Sequence, residues 1–405
     1  MRAALVGKPL VHSYSKIIHE RLGYPYDLVE VDEADLEGLI KSGKYDCFNI
    51  TIPYKKTVAF FVDEIDDTAR FAGAINTVIV RNRRLIGYNT DVLGLEYMLK
   101  NAGVELNGKC VMILGTGGTS NTASFVCERA GAKSVVKVGR SSPVNYSNCY
   151  DYIDTQIIIN TTPAGMYPYY GAPPIDISRF SRLEGVADVV YNPVNTELVC
   201  KAKGLGIKSV GGLSMLVAQA VYSSEMFCQS KYPSGTIEQI YRYLKTKVSN
   251  VVLVGMPSSG KTTIGKMLAS RMGAEFIDTD ALVEQIEGMP IPNIINERGE
   301  EYFRDVESRA IEMLSEKKGC VIATGGGSVL REKNREILKR NSFVIHVERP
   351  FSELSSEGRP LSSTPLALQE MERVRMPIYR EIRDFSVLND GKTDKAVKLI
   401  EEVLL

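Results

Sequence analysis

Short apolar runs rich in β-branched residues alternate with longer stretches of helical periodicity almost throughout the chain, the pattern of an α/β architecture with mainly parallel sheets. Three runs are clearest: Cys110–Leu114, Asn250–Val254 and Val321–Ala323. Each delivers the chain into a glycine-rich turn of the kind that cradles phosphate. Over 234–248, Ile237, Ile240, Tyr241 and Leu244 recur at helical spacing, and a new strand follows almost at once, so the main boundary is expected at 247–250. No repeat of fixed period is present, and the two glycine loops flanking that boundary differ in kind, which indicates fusion rather than duplication.

Composition narrows the class. A chain of 405 residues implies roughly two to four compact units, and 44% hydrophobic with 24% charged residues is the balance of a soluble globular protein. Lys plus Arg equals Asp plus Glu at 49 each, so nothing global draws the chain to nucleic acid or to a membrane, and anion recognition must be local. The cysteines are odd in number and never at C-x-x-C spacing, and His12, His19 and His346 form no H-x-x-x-H pair; reduced thiols and structural histidines are expected. The chain enters directly on a strand-like Ala3–Gly7 with no leader pattern and no run of membrane-spanning length, so the expected compartment is the cytoplasm.

After the strand ending at Leu114 comes Gly115-Thr116-Gly117-Gly118-Thr119-Ser120-Asn121, leading into a helical pattern. Glycines there let the backbone approach a pyrophosphate, whose charge rests on the N–H groups of the helix start. The next strand ends in Gly139-Arg140-Ser141-Ser142, and no acid occurs over 133–148. A 2′-phosphate wants a guanidinium with small donors, whereas NAD-selective folds place an acid there. Arg140 and Ser141 therefore point to NADP(H); the alternative for Arg140 is a solvated loop residue.

Further polar motifs surround this unit: His12-Ser13-Tyr14-Ser15, Asn49-Ile50-Thr51-Ile52-Pro53-Tyr54-Lys55, Gly73-Ala74-Ile75-Asn76-Thr77, Gly87-Tyr88-Asn89-Thr90-Asp91, Asn160-Thr161-Thr162-Pro163-Ala164-Gly165-Met166, and Gly211-Gly212-Leu213-Ser214-Met215-Leu216-Val217-Ala218-Gln219. Together they resemble shikimate dehydrogenase over residues 1–245. The resemblance implies that Ser13 and Ser15 hold the carboxylate of 3-dehydroshikimate or shikimate, and that Thr51, Asn76 and Gln219 bond the ring hydroxyls. Lys55 and Asp91 would face the reacting carbonyl, the lysine supplying a proton or stabilising the negative charge that develops on oxygen, and the aspartate orienting it; alone, such a pair would read as a surface ion pair. Tyr191 would border substrate and nicotinamide, and Gly115, Thr116, Gly117, Gly118, Thr119, Gly139, Arg140, Ser141 and Gly212 would hold the cofactor. Lys16 and Glu20 depart from the family, which more often has Pro and Asn, as does Gly139, where Asn more often precedes the arginine.

The strand ending at Val254 runs into Gly255-Met256-Pro257-Ser258-Ser259-Gly260-Lys261-Thr262-Thr263, a full G-x-x-x-x-G-K-T motif in strand-loop-helix context. Backbone N–H groups of such a loop cradle the phosphates of ATP, the lysine reaches the β and γ oxygens, and the Thr262 hydroxyl ligates Mg²⁺. The loop alone does not name the acceptor. Phe276-Ile277-Asp278-Thr279-Asp280, Gly299-Glu300-Glu301-Tyr302-Phe303-Arg304-Asp305-Val306-Glu307, Gly325-Gly326-Gly327, Gly358-Arg359-Pro360-Leu361 and Arg375-Met376-Pro377-Ile378-Tyr379 resemble shikimate kinase over 249–405. That implies Arg304 and Arg375 on the shikimate carboxylate, Asp280 on the attacking hydroxyl, Gly326 and Gly327 against the substrate, Asp278 in the Mg²⁺ shell, and Arg359 closing a lid over ATP.

The two resemblances support each other, since the product of the first reaction is the substrate of the second. The expected organisation is a dehydrogenase substrate-binding domain over 1–100 and 213–247, a Rossmann-type NADP domain over 101–212, and a P-loop kinase domain with a parallel sheet over 248–405. A sensor that had lost catalysis should lack Lys55, Asp91, Lys261 or Asp280, and all four are present.

Overall fold

The computed structural model describes residues 1–10, 13–167, 171, 173–354 and 364–404. It divides into two compact units, Met1–Leu244 and Lys245–Leu405. The division lies inside the helix Thr236–Val248, because the last turn of that helix is bonded into the second unit: Thr246 Oγ1 donates to Leu404 O, and Asn341 Nδ2 donates to Val248 O.

The first unit contains two sheets. One is built from β1 (Ala3–Gly7), β2 (Tyr26–Glu30), β3 (Cys47–Ile50), β4 (Glu64–Ile65), β5 (Thr77–Arg81) and β6 (Arg84–Tyr88), in the order β2-β1-β3-β5-β6-β4. Here the mainly parallel expectation is met only in part. β1 pairs in parallel with β2 and β3, but β5 is antiparallel to both β3 and β6. The β5–β6 pairing has a local cause: Asn82 and Arg83 join the two strands with φ of 49° and 63°, the two-residue left-handed turn whose twist suits a hairpin.

The other sheet of this unit is wholly parallel: β7 (Cys110–Leu114), β8 (Ser134–Val138), β9 (Ile157–Asn160), β10 (Gly185–Asp188) and β11 (Lys208–Val210), in the order β11-β10-β9-β7-β8. On β7, Val111 and Ile113 enter one core while Met112 and Leu114 enter another, which is why the run reads as continuously apolar. The chain leaves β7 toward β8 on one side and has β9 on the other, so the glycine turn after Leu114 sits at a topological switch point, where open sheets bind ligands. The helices Asp91–Asn101 and Leu213–Cys228 pack closely because Gly94 has no side chain: a Cβ there would lie 2.8 Å from Met215 O and 2.9 Å from Gln219 Cβ.

The second unit is built on β12 (Asn250–Val254), β13 (Phe276–Asp278), β14 (Val321–Ala323), β15 (Ser342–Glu348) and β16 (Phe385–Leu388), all parallel in the order β13-β14-β12-β15-β16. Its central strand β12 is buried on both faces, Val251 and Leu253 toward one core, Val252 and Val254 toward the other. No helix among the described residues is long and apolar enough to cross a membrane. None of the seven cysteines is paired, and burial raises the Cys47 and Cys127 thiols to about 12, which makes them poor nucleophiles.

Candidate active sites

In the first unit Lys55 Nζ donates to Asp91 Oδ2 at 2.6 Å, both side chains being partly screened from solvent. Asp91 opens the helix Asp91–Asn101, where the helix dipole favours a negative charge. Lys55 lies in the turn after β3, and its carbonyl accepts from Ile75 N at 2.8 Å. That bond places the next residue, Asn76, beside the pair. Asn76 Oδ1 accepts from Thr90 N at 2.7 Å and from Thr77 Oγ1 at 3.0 Å, while its amide reaches Thr90 Oγ1 at 3.1 Å and Gln219 Oε1 at 3.5 Å. Asn76 and Gln219, distant in sequence, therefore meet next to the Lys55–Asp91 pair.

Behind them, Tyr26 donates to Asn49 Oδ1 at 2.7 Å, and Asn49 Nδ2 donates to Thr77 Oγ1 at 3.2 Å. Tyr26, Asn49, Asn76, Thr77 and Thr90 are almost fully buried, so their bonds are made where an unpaired polar atom is costly and their geometry is correspondingly fixed. Thr51 follows β3 directly and donates its N–H to Val6 O at 2.9 Å. Ser15 N donates to Ser13 Oγ at 3.2 Å, and the ring of Tyr14 between them meets Tyr191 edge-on at 5.6 Å. Lys16 and Glu20, the departures beside the serines, face solvent and pair with each other at 3.7 Å.

The helix Gly118–Arg129 starts at the switch point with Gly117 as its N-cap. A Cβ on Gly117 or Gly118 would meet nothing within 4 Å, so the space above this backbone is open to a ligand, as a phosphate cradle requires. Thr116 is exposed, and Thr119 is half-buried in the first helical turn. Arg140 and Ser141 are exposed just beyond β8. Gly139 has a packing reason for departing from asparagine: a Cβ there would sit 2.6 Å from both Thr116 Cγ2 and Ser142 Oγ. Gly212 is more constrained, since its Cβ would lie 2.1 Å from Val189 O.

Asp188, to which the sequence reading attached no role, ends β10 fully buried and accepts from Asn160 Nδ2, Val190 N and Thr196 Oγ1 at 2.7–3.0 Å. Burial raises its carboxyl to about 6 even though all three donors favour the ion. It ties the 160–166 segment to the stretch carrying Tyr191. Its signal in the sequence was an acid ending an otherwise apolar strand.

In the second unit the glycine loop, the end of β13, the turn after β14 and the helix Pro365–Ile382 enclose a cavity of about 540 Å³. Thr262 Oγ1 donates to Asp278 Oδ2 at 2.8 Å, and Asp278 Oδ1 caps the helix Thr279–Glu287 by accepting from Asp280 N. Lys261 is buried and donates to Gly255 O at 2.9 Å and Met256 O at 2.8 Å. Pro257, Ser258, Gly260 and Thr263 line the cavity, whereas Met256 and Ser259 are buried beneath it. Asp280 is exposed to the cavity from the opposite wall.

Arg304 Nη1 pairs with Glu307 Oε2 at 2.9 Å and Nη2 with Glu300 Oε1 at 3.0 Å. Burial alone would lower its pKa, but Glu307 and Glu300 together hold it above the usual value. Arg375, equally buried, is pulled down by burial and by the neighbouring Arg304. Two buried guanidiniums thus share the field of one buried carboxylate, Glu307, and the surplus positive charge suits an anionic group of a ligand. Glu307 stood in a motif read for Arg304; its own role emerges only from the fold, where it also accepts from Ser328 Oγ at 2.7 Å. Gly327 lets the Arg304 guanidinium lie against the backbone, since a Cβ there would fall 2.3 Å from Nη1, and Gly326 O accepts from Tyr379 OH at 2.5 Å. Arg359 lies outside the described residues. No group of three His, Cys, Asp or Glu side chains among the described residues is arranged to hold a metal.

The profile of the shikimate kinase family matches residues 257–404, and that of the shikimate dehydrogenase substrate binding domain matches residues 5–78. An NADP(+) shikimate dehydrogenase of Methanococcus maripaludis is 34% identical over 250 residues, covering 55% of this chain and 90% of the relative. The crystal structure of shikimate dehydrogenase 1 from Peptoclostridium difficile superposes with a TM-score of 0.56 at 35% identity, covering 60% of this chain and 97% of that one. The Thermus thermophilus shikimate 5-dehydrogenase, solved with NADP(H) and shikimate, gives a TM-score of 0.54 at 26% identity over 60% of this chain and 99% of that one. Through its first unit the chain belongs to the shikimate dehydrogenase family, and with a shikimate kinase domain in its second it is a bifunctional enzyme of the shikimate pathway.

Proposed function

We propose that the first unit reduces 3-dehydroshikimate to shikimate with NADPH and that the second phosphorylates shikimate to shikimate 3-phosphate with MgATP. The single observation that carries the joint reading is the cavity of the second unit. It combines a triphosphate loop, an aspartate facing that loop, and a paired-arginine site fit for the carboxylate that the first unit's product bears.

In the dehydrogenase half, Ser13 and Ser15 hold the substrate carboxylate, Thr51, Asn76 and Gln219 bond the ring hydroxyls, and Tyr191 borders the ring and the nicotinamide. NADPH supplies the hydride. The carbonyl oxygen then needs a proton, which the Lys55 ammonium is placed to give while Asp91 fixes its position. Thr116, Thr119, Gly139, Arg140, Ser141 and Gly212 surround the cofactor, whose pyrophosphate rests on the open backbone of Gly115, Gly117 and Gly118. A substrate-binding domain over 1–100 and 213–247 with a cofactor domain over 101–212 follows from this partition.

In the kinase half, over 248–405, ATP with Mg²⁺ supplies the phosphoryl group. The Gly255 to Thr263 loop holds the phosphates, Lys261 offsets their charge, and Thr262 with Asp278 holds the metal. Arg304 and Arg375 clamp the shikimate carboxylate over Gly326 and Gly327, and Asp280 accepts the proton of the attacking hydroxyl. The resemblance assigns Arg359 to the nucleotide as well.

Two variants of the full chain test the assignment. Lys55→Met should abolish NADPH loss with 3-dehydroshikimate yet leave ADP release with added shikimate, and Lys261→Met should do the reverse. Loss of both activities in either variant, or of neither, would refute it.

A further inference from the structure

We propose that Arg349 is a nucleotide-binding residue of the kinase half, contacting the phosphate chain of the bound nucleoside triphosphate. This rests on the kinase reading above and extends it to a residue that no motif marks.

The topology sets the direction. In the sheet order β13-β14-β12-β15-β16, the acceptor groups stand at the ends of β13 and β14: Asp280 follows β13, and Gly326 and Gly327 follow β14, with the Arg304 guanidinium lying against Gly327. Arg349 immediately follows β15, on the other side of the loop strand β12. The phosphate loop therefore lies between the acceptor cluster and Arg349, and Arg349 borders the same cavity from the side away from the acceptor. An arginine there faces what the loop holds, not the ring that receives the phosphoryl group.

The side chain is positioned by the loop itself. Arg349 Nη1 donates to Ser258 O at 3.2 Å, and Nε donates to Glu353 Oε2 at 3.3 Å. Ser258 is one of four non-glycine residues with positive φ among the described residues, at 64°, and this backbone turn presents its carbonyl to the guanidinium. These two bonds use two of five N–H donors. The side chain is 29% exposed, so it is anchored at one edge and open at the other, the form in which a planar guanidinium meets phosphate oxygens. Asn389 provides the contrast: it also bonds the loop, donating to Ser259 O at 2.8 Å, but it is buried and does not border the cavity. Asn389 braces the loop, whereas Arg349 both touches the loop and reaches the ligand space. Glu353, on the exposed rim, competes for the guanidinium.

The test is calorimetric titration of the full chain and of Arg349→Gln, Arg349→Lys and Glu353→Gln with MgATP, MgADP and shikimate, alongside thermal unfolding. Loss of a charge-assisted contact should weaken MgATP and MgADP about tenfold or more in Arg349→Gln, leaving shikimate binding and the unfolding midpoint in place. Arg349→Lys should recover part of the loss, because the charge returns although the bond to Ser258 does not. Glu353→Gln should bind MgATP at least as tightly as the unaltered chain. A change in MgATP binding below about twofold in Arg349→Gln overturns the assignment. So does an equal loss for shikimate, or an absence of any recovery with lysine, both of which mark Arg349 as a brace for the loop. If the unaltered chain itself bound no MgATP, the kinase reading would fall, and this inference with it.

Discussion

Replacing Glu307 with glutamine perturbs the kinase half at its most heavily charged buried point. Glu307 is 1% exposed, accepts from Arg304 Nη1 at 2.9 Å and from Ser328 Oγ at 2.7 Å, and faces a second buried guanidinium on Arg375. An amide has the same shape but only one acceptor oxygen, so its NH₂ must confront either the guanidinium or the hydroxyl. Removing one partner of a buried ion pair costs about 3–5 kcal/mol. Arg304 keeps Glu300, which is half exposed and returns at most about 1 kcal/mol, so the net loss is about 2–4 kcal/mol. For a unit of this size each kcal/mol moves the unfolding midpoint by about 2–4 °C, giving a fall of roughly 5–15 °C. Glu300→Gln removes the other carboxylate of the same arginine and should move it by no more than about 4 °C. Differential scanning calorimetry of the full chain, with the kinase transition identified by its upward shift on adding MgATP, reads both. Equal shifts for the two variants would refute the claim that burial makes Glu307 the dominant partner.

Other consequences follow from single residues. Gly212→Ala places a methyl group 2.1 Å from Val189 O, a clash with backbone that should cost several kcal/mol; NADPH-dependent reduction should be lost while phosphorylation of added shikimate by the same chain persists. His19 is buried with its pKa lowered to about 3 by burial, below the roughly 6.5 of the unfolded chain. The unfolded state then binds the extra proton first, so stability present above about pH 6.5 is lost as pH falls toward 3. His19→Phe should flatten that acid slope for the dehydrogenase half in urea unfolding followed between pH 7 and 4, and an unchanged slope would contradict the burial argument. Arg140→Ala should raise KM for NADPH about tenfold or more, through loss of a charge-assisted phosphate contact, while KM for NADH moves less than about twofold; equal changes would remove the NADP assignment from Arg140.

What could be read from the chain was whatever is written in contiguous residues. The phosphate loop of 255–263 and the glycine turn of 115–121 each bind through their own backbone, so strand, loop and helix start stand together in the sequence and their location was legible. The parallel sheets were legible too, because strands covered on both faces are apolar throughout, as β7 and β12 are. The antiparallel part of the first sheet was not: its turn is made by Asn82 and Arg83, and arginine carries no turn signal, although the pairing forces it into a left-handed conformation. Nor does any local pattern show that Gln219 reaches Asn76, which depends on two helices approaching across Gly94. Asp188 and Glu307 were visible as acids but not as buried ones, since burial belongs to the packed fold, and nothing local ties Arg349 to the phosphate loop, which it meets only because β15 pairs with β12.

If one chain performs two successive reactions on the same ring, the second must wait for the product of the first. A single mixture of the purified chain with 3-dehydroshikimate, NADPH and MgATP shows this order when NADPH absorbance and ADP release are followed together and the product is identified by mass. NADPH should be consumed at once, ADP release should lag until shikimate has formed, and shikimate 3-phosphate should be the final product. NADPH and ATP binding without turnover, or ADP release that does not depend on prior reduction, would contradict it.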